Sequence, residues 1–172
     1  MTTTTKQGLL VLSLSLAAGT FLVAVIALKP IPRLIWNASA SVPEGPYFVQ
    51  MRQPSLGEIA VIRPVDWVRH YASSRGYLPE NVWLLKPVFA MHDSLACRYG
   101  RYVFVDGKMI VRAKIQDRQH RLLPVWKGCH ALKSDEVFVL ARPRDSFDSR
   151  YFGPVNRSRI VGTAIPLVKI FK

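Results

Sequence analysis

The sequence predicts a mainly β domain carried behind one N-terminal transmembrane helix. Residues 8–28 form a single uncharged apolar run. From residue 47 on, short runs rich in Val, Ile, Phe and Tyr alternate with Pro, Gly and Asp-Gly punctuation, the pattern of short strands joined by turns. Only 66–74 has helical spacing. The expected organisation is a short polar N-terminus (1–7), a transmembrane anchor (8–28) and one domain (29–172), long enough to bury its own core.

At about 1.5 Å rise per residue, the apolar run matches roughly 30 Å of hydrocarbon. Lys29 and Arg33 close it, and Trp36 suits the interface. The competing reading is a cleaved signal peptide, because Ala38-Ser39-Ala40 has the small-x-small form. The run exceeds a usual signal-peptide core, and that cut would fall far beyond Leu28, so a retained anchor is expected. Pro30 and Pro32 should end the helix.

Beyond it, Ser41-Val42-Pro43-Glu44-Gly45 reads as a tight turn, because proline fixes φ and glycine permits positive φ. Strands are expected at 47–51 and 58–62. Asp66 should cap a helical turn over 66–74 with Trp67 and Tyr71 on one face. The run 82–90 is a strongly apolar strand, and Asp106-Gly107 between 101–105 and 108–112 signals a hairpin. Residues 113–133 read as an irregular insertion, 136–140 as a strand and 159–171 as a last strand kinked at Pro166.

The formal net charge is +13, with the basic residues scattered. There is no Gly-x-x-x-x-Gly-Lys loop, no zinc-type cysteine spacing and no basic block of five. Nucleic acid is therefore not an expected partner, and an anionic membrane surface is. Cys97 and Cys129, the only cysteines, behind an apolar leader point to an exported domain with one disulfide; otherwise they are two separate thiols.

Chemistry has three candidate locations. Ser41 in its turn is either a presented hydroxyl or a loop residue. Lys86, inside Trp83-Leu84-Leu85-Lys86-Pro87-Val88-Phe89, is either an edge charge or a buried amine. A buried amine near neutral pH can take the proton of a serine hydroxyl. In the third, Ser146, Asp148 and Arg150 share one face of an extended segment, as a polar network or a charged loop. His70, His92, His120 and His130 fit no motif.

Together, Ser41-Val42-Pro43, Lys86-Pro87-Val88 and Ser146-Phe147-Asp148-Ser149-Arg150-Tyr151-Phe152-Gly153 resemble, in order, the three boxes of the signal peptidase I family of serine–lysine endopeptidases. Two departures locate a branch. Ala141-Arg142-Pro143-Arg144-Asp145 stands where Gly-Asp-Asn is usual, and Ala90-Met91-His92-Asp93 where a glycine-rich run follows the lysine. The insertion between Cys97 and Cys129, together with Ser-Val-Pro-x-Gly-x-Tyr, resembles the TraF conjugative-transfer peptidases.

The resemblance implies a signal-peptidase-like β domain and a peptidase that needs no cofactor or metal. Ser41 would be the nucleophile and Lys86 the general base. Asp148 is implied as the aspartate tied to activity, and it would pair with Arg150 to brace the site. Ser146 would orient Lys86, and the Ser39 hydroxyl with the Ser41 N–H would form an oxyanion hole. The implied partners are a pilin precursor, inner-membrane lipids and other components of conjugation or type IV secretion. The implied place is the bacterial inner membrane, with the domain in the periplasm. Substrate is expected to bind extended, as a strand beside Tyr47. A general signal peptidase of the same chemistry and a non-catalytic scaffold of a secretion complex are the alternatives.

Overall fold

The structure, a computed structural model, describes residues 3–28 and 32–168. The chain divides into two units, an N-terminal helix and, from residue 33, a β domain. The helix, α1 (Thr3–Leu28), is long and apolar enough to cross a membrane. The expected closing residues Lys29 and Pro30 lie outside the described residues.

The domain contains a seven-stranded sheet and a four-stranded sheet. The first is built from β1 (Leu34–Asn37), β2 (Gly45–Gln50), β3 (Ile59–Ile62), β4 (Leu84–Ala90), β9 (Glu136–Val139), β10 (Val155–Asn156) and β11 (Ile160–Pro166). Its order is β1-β2-β11-β3-β4-β9-β10, with antiparallel pairings. The second uses β5 (Leu95–Tyr99), β6 (Tyr102–Val105), β7 (Lys108–Arg112) and β8 (Gly128–Ala131) in the order β7-β6-β5-β8. Helix α2 (Asp66–Ser74) covers the larger sheet's core, and α3 (Ser149–Phe152) is a single turn. One core lies on the α2 side (Ala60, Ile62, Val68, Leu84, Val88, Phe147), and a second lies around Tyr47, Val49, Val61 and Leu85. Strand β4 supplies Leu84 and Val88 to the first and Leu85 to the second, so both of its faces are buried around Lys86, while Phe89 near its end is exposed.

Most expected elements are present, with informative differences. Val65, not Asp66, is the N-cap of α2; Asp66 is inside the first turn and binds Arg69 at 2.9 Å. The buried face of α2 is Val68 and Ala72, while Trp67 is exposed. The hairpin turn is as expected, with Asp106 (φ 51°) and Gly107 (φ 76°) both in the left-handed region that this turn requires. The insertion is more regular than its polarity suggests: β8 lies within 113–133, and β5 pairs with it. Cys97 and Cys129 face each other across that pair and are bonded. The last strand stops at Pro166, and residues 169–172 lie outside the described residues.

The expected docking of substrate beside Tyr47 is overturned. Strand β2 has β1 on one side and β11 on the other, so Tyr47 faces Ile35 and Pro166 and offers no free edge. The packing of β11 is equally tight. A Cβ on Gly162 would lie 2.4 Å from the Gln50 carbonyl oxygen, so only glycine fits there.

Candidate active site

Ser41 sits in the loop 38–44 that joins β1 to β2, as the Pro/Gly pattern suggests. Asn37 closes the mouth of this hairpin opposite Gly45. Its buried side-chain amide donates to the carbonyl oxygens of Ser39 (2.8 Å), Val42 (2.9 Å) and Pro43 (3.0 Å). The Tyr47 hydroxyl also donates to Pro43 O, at 2.8 Å. Val42 is buried beneath the loop while Ser41 stays partly open to solvent.

Lys86 is not an edge charge. Strand β4 has β3 and β9 on its two sides, and Lys86 lies opposite Ala60, whose small side chain leaves room for the butyl stem. Lys86 is only 4% exposed, yet its Nζ reaches the active face and contacts Ser41 Oγ. Nζ also donates to Ser146 Oγ at 2.9 Å, and the two serine oxygens are 3.2 Å apart. Ser41, Lys86 and Ser146 thus close a triangle from three distant parts of the chain. Burial is the main cause that pushes the Lys86 ammonium down to about 8; the Asp148 charge opposes it and the Arg150 charge adds to it. A working fraction of Lys86 is then neutral near physiological pH, with its lone pair against the serine hydroxyl.

Asp148 and Arg150 do not touch Ser41, Lys86 or Ser146 by any hydrogen bond. They are wholly buried and bind each other through two bonds, Nε–Oδ1 at 2.7 Å and Nη2–Oδ2 at 2.8 Å. Asp148 also accepts from Ala141 N (3.0 Å) and Arg150 N (3.2 Å), and Arg150 donates to Ala141 O (2.5 Å). The pair folds 141–150 back on itself and so sets the height of Ser146. Asp148 makes its hydrogen bonds to Ala141 and Arg150 and none to Ser41, Lys86 or Ser146. The segment is also not extended: Asp148 caps α3, and Gly153 (φ 78°) ends it.

Ser39 lies two residues before Ser41, but its hydroxyl is already engaged, lying 2.9 Å from Asn37 Oδ1. Donating to an oxyanion would cost it that bond, about 1 kcal/mol. The Ser41 N–H, in contrast, donates to no protein acceptor among the described residues.

Two further residues escape sequence reasoning. Arg98, on β5 beside Cys97, is buried, and it donates to Gly100 O (3.0 Å), Pro124 O (3.2 Å) and Arg150 O. Its guanidinium lies 5.8 Å from the Tyr151 ring centroid. Trp126 donates Nε1–H to Ser149 O at 3.0 Å. Arg98 thus satisfies Arg150 O, which the single helical turn leaves without a backbone partner, and Trp126 adds a second bond to Ser149 O beside the one from Gly153 N. The disulfide-bearing sheet thereby grips the backbone of the segment that carries Ser146. The only cue in the sequence is the arginine beside a cysteine, which by itself says nothing of its partners.

The sequence matches the signal peptidase, peptidase S26, family over residues 5–168. It is 32% identical over 171 residues to a plasmid transfer protein TraF of Escherichia coli, covering 92% of this chain and 90% of that one. A second Escherichia coli plasmid transfer protein TraF is 29% identical over 146 residues, covering 81% and 79%. Among solved structures, a signal peptidase I of Enterococcus faecalis aligns at 14% identity with a TM-score of 0.35, over 66% of this chain and 98% of that one. The family match spans both the apolar helix and the domain holding Ser41, Lys86 and Ser146, and this chain belongs to the signal peptidase, peptidase S26, family.

Proposed function

We propose that this chain is a membrane-anchored serine endopeptidase that uses a Ser41–Lys86 dyad to mature pilin precursors in conjugative DNA transfer. The observation that carries the chemistry is the buried amine of Lys86 in hydrogen-bond contact with Ser41 Oγ. The relation to the two plasmid transfer proteins supports the biological setting.

In this reading neutral Lys86 takes the Ser41 proton as Oγ adds to the scissile carbonyl carbon. The Ser41 N–H faces the resulting oxyanion; one such donor is worth roughly 3 kcal/mol. Collapse breaks the C–N bond, and Lys86 returns its proton to the leaving amine. The acyl-enzyme ester on Ser41 remains. Attack by water, with Lys86 again as base, releases a carboxylate. Attack by the pilin's own N-terminal amine would instead close the chain into a circle. Ser146 accepts one amine hydrogen of Lys86, which leaves the lone pair directed at Ser41. Asp148 and Arg150 keep Ser146 in place.

Substrate presentation follows from the order of the chain. Ser41 comes thirteen residues after Leu28, so it works close to the bilayer where a membrane-inserted precursor emerges. Trp36, 72% exposed on β1, suits that interface. The single disulfide fits an oxidising compartment, and the proposed site of action is the periplasmic face of the inner membrane.

The test is cleavage of a pilin precursor by the full chain in detergent. Wild type should cleave it, and Ser41→Ala and Lys86→Ala should not. Cleavage by either variant removes the dyad from the account. The mass of the mature pilin then separates water from amine attack, since a closed chain lacks one water. Rescue of cells that lack their general signal peptidase would contradict the narrow pilin role.

A further inference from the structure

Asn37 is the most heavily used side chain around the nucleophile, and the chemistry above gives it no part. It is 5% exposed and stands at the end of β1 with its amide turned into the loop 38–44. Its Nδ2 has two hydrogens shared among three carbonyl oxygens, those of Ser39 (2.8 Å), Val42 (2.9 Å) and Pro43 (3.0 Å). Its Oδ1 lies within hydrogen-bond reach of Ser39 N (3.2 Å) and Ser39 Oγ (2.9 Å) as acceptor. Five contacts from one amide, four of them to backbone, reach both sides of Ser41.

The loop has no ladder of its own to fix its shape. Turning the carbonyls of residues 39, 42 and 43 inward restricts how the peptide planes between them can lie. The Ser41 N–H stays without a protein acceptor among the described residues, which is what an oxyanion donor needs before substrate arrives. Donating and accepting at once is a property of an amide. A carboxylate accepts only, and an aliphatic side chain does neither.

We propose that Asn37 is a positioning residue, whose amide holds the nucleophile loop so that the Ser41 N–H is preset for the oxyanion. This inference rests on reading the chain as a serine–lysine peptidase. It assigns Ser39 to the loop's framework, with its hydroxyl committed to Asn37. Asn37 acts through the loop and never touches Lys86 or Ser146, which reside on other elements. Its loss should therefore lower the rate of acylation without moving the pH at which Lys86 becomes neutral.

The experiment uses the full chain in detergent with Asn37→Asp and Asn37→Ala, and p-nitrophenyl acetate as acylating probe. Nitrophenolate release gives kcat, KM and the pH profile; amide hydrogen exchange gives the protection of the Ser39 N–H. Asn37→Asp keeps both acceptances and loses the donations. The expected result is a roughly 100-fold fall in kcat for both variants, with KM and the pH midpoint unchanged. The Ser39 amide, protected in wild type, should exchange fast in Asn37→Ala. Acylation at the wild-type rate in either variant overturns the proposal. So does a loss that arrives with a displaced pH midpoint, because that reports general collapse of the site. If wild type itself shows no Ser41-dependent acylation, the peptidase reading falls. Amide exchange still decides on Asn37, and an equally protected Ser39 amide in Asn37→Ala overturns its clamp.

Discussion

Replacing Asp148 by Asn separates a brace from a catalyst. Asp148 takes four hydrogen bonds on two oxygens: Arg150 N and Nε on one, Ala141 N and Arg150 Nη2 on the other. An asparagine there would turn an NH2 toward two donors and leave the buried Arg150 charge uncompensated. Breaking a buried pair from one side costs about 3–5 kcal/mol, against about 5–15 kcal/mol for a whole domain. For a domain of this size the melting temperature should fall by roughly 10–20 °C, read by circular dichroism with the disulfide intact. The variant has a second signature. The Asp148 charge raises the Lys86 pKa and the Arg150 charge lowers it. With the aspartate charge gone, Lys86 becomes neutral at lower pH, so the rising limb of the pH–rate profile should move below about 8 in whatever folded protein remains. A melting temperature within about 3 °C of wild type would refute the bracing argument. A limb displaced to higher pH would refute the electrostatic one.

Lys86→Met should abolish cleavage yet stabilise the domain. The folded-state pKa of Lys86 lies below its unfolded value, so the unfolded chain binds the extra proton between about 8 and 10.5. The penalty of burying the charge is present in full below about 8 and is lost as pH rises toward 10.5. At neutral pH the gain on removing the charge is at most about 3 kcal/mol, and calorimetry across that window would show it; a destabilised Lys86→Met contradicts the assigned burial. Ser146→Ala should reduce kcat about 10–100-fold through loss of one buried bond to Lys86, with KM little changed; steady-state kinetics at wild-type kcat would remove Ser146 from the site. Replacing Cys97 and Cys129 together by Ser opens a closure spanning 32 positions and should cost about 3–4 kcal/mol in denaturant unfolding; an unchanged midpoint would show that the sheet does not need it.

Local signals in the sequence carry far. The apolar run, the Asp-Gly hairpin and the β-rich runs at 58–62 and 136–140 reappear as α1, β6–β7, β3 and β9. Ser41, Lys86 and Ser146 come together as the three boxes imply. What escaped is non-local. Whether Lys86 lies at an edge or in the centre depends on β3 and β9 flanking β4, and no pattern within 82–90 encodes its neighbours. For the same reason the strand expected to receive substrate at Tyr47 proves to be flanked on both sides. Strand β8 hides in polar surroundings because it gains its partner, β5, only across the insertion. Asn37 and Arg98 work by binding carbonyls, which every residue offers, so their sequence context is silent. The turn α3 was readable: Asp148 as its cap and Gly153 at its end are ordinary helix punctuation.

The central claim is that Lys86 is the base for Ser41. The pH dependence of Ser41 acylation in the full chain tests it most directly, with p-nitrophenyl acetate as probe and Lys86→Ala as control. Only neutral Lys86 can accept the proton, so the rate should rise with pH through a midpoint of about 8 and vanish in the control. A midpoint near 10.5, the ordinary value for lysine, or a Lys86→Ala variant that acylates as wild type does, would contradict the account.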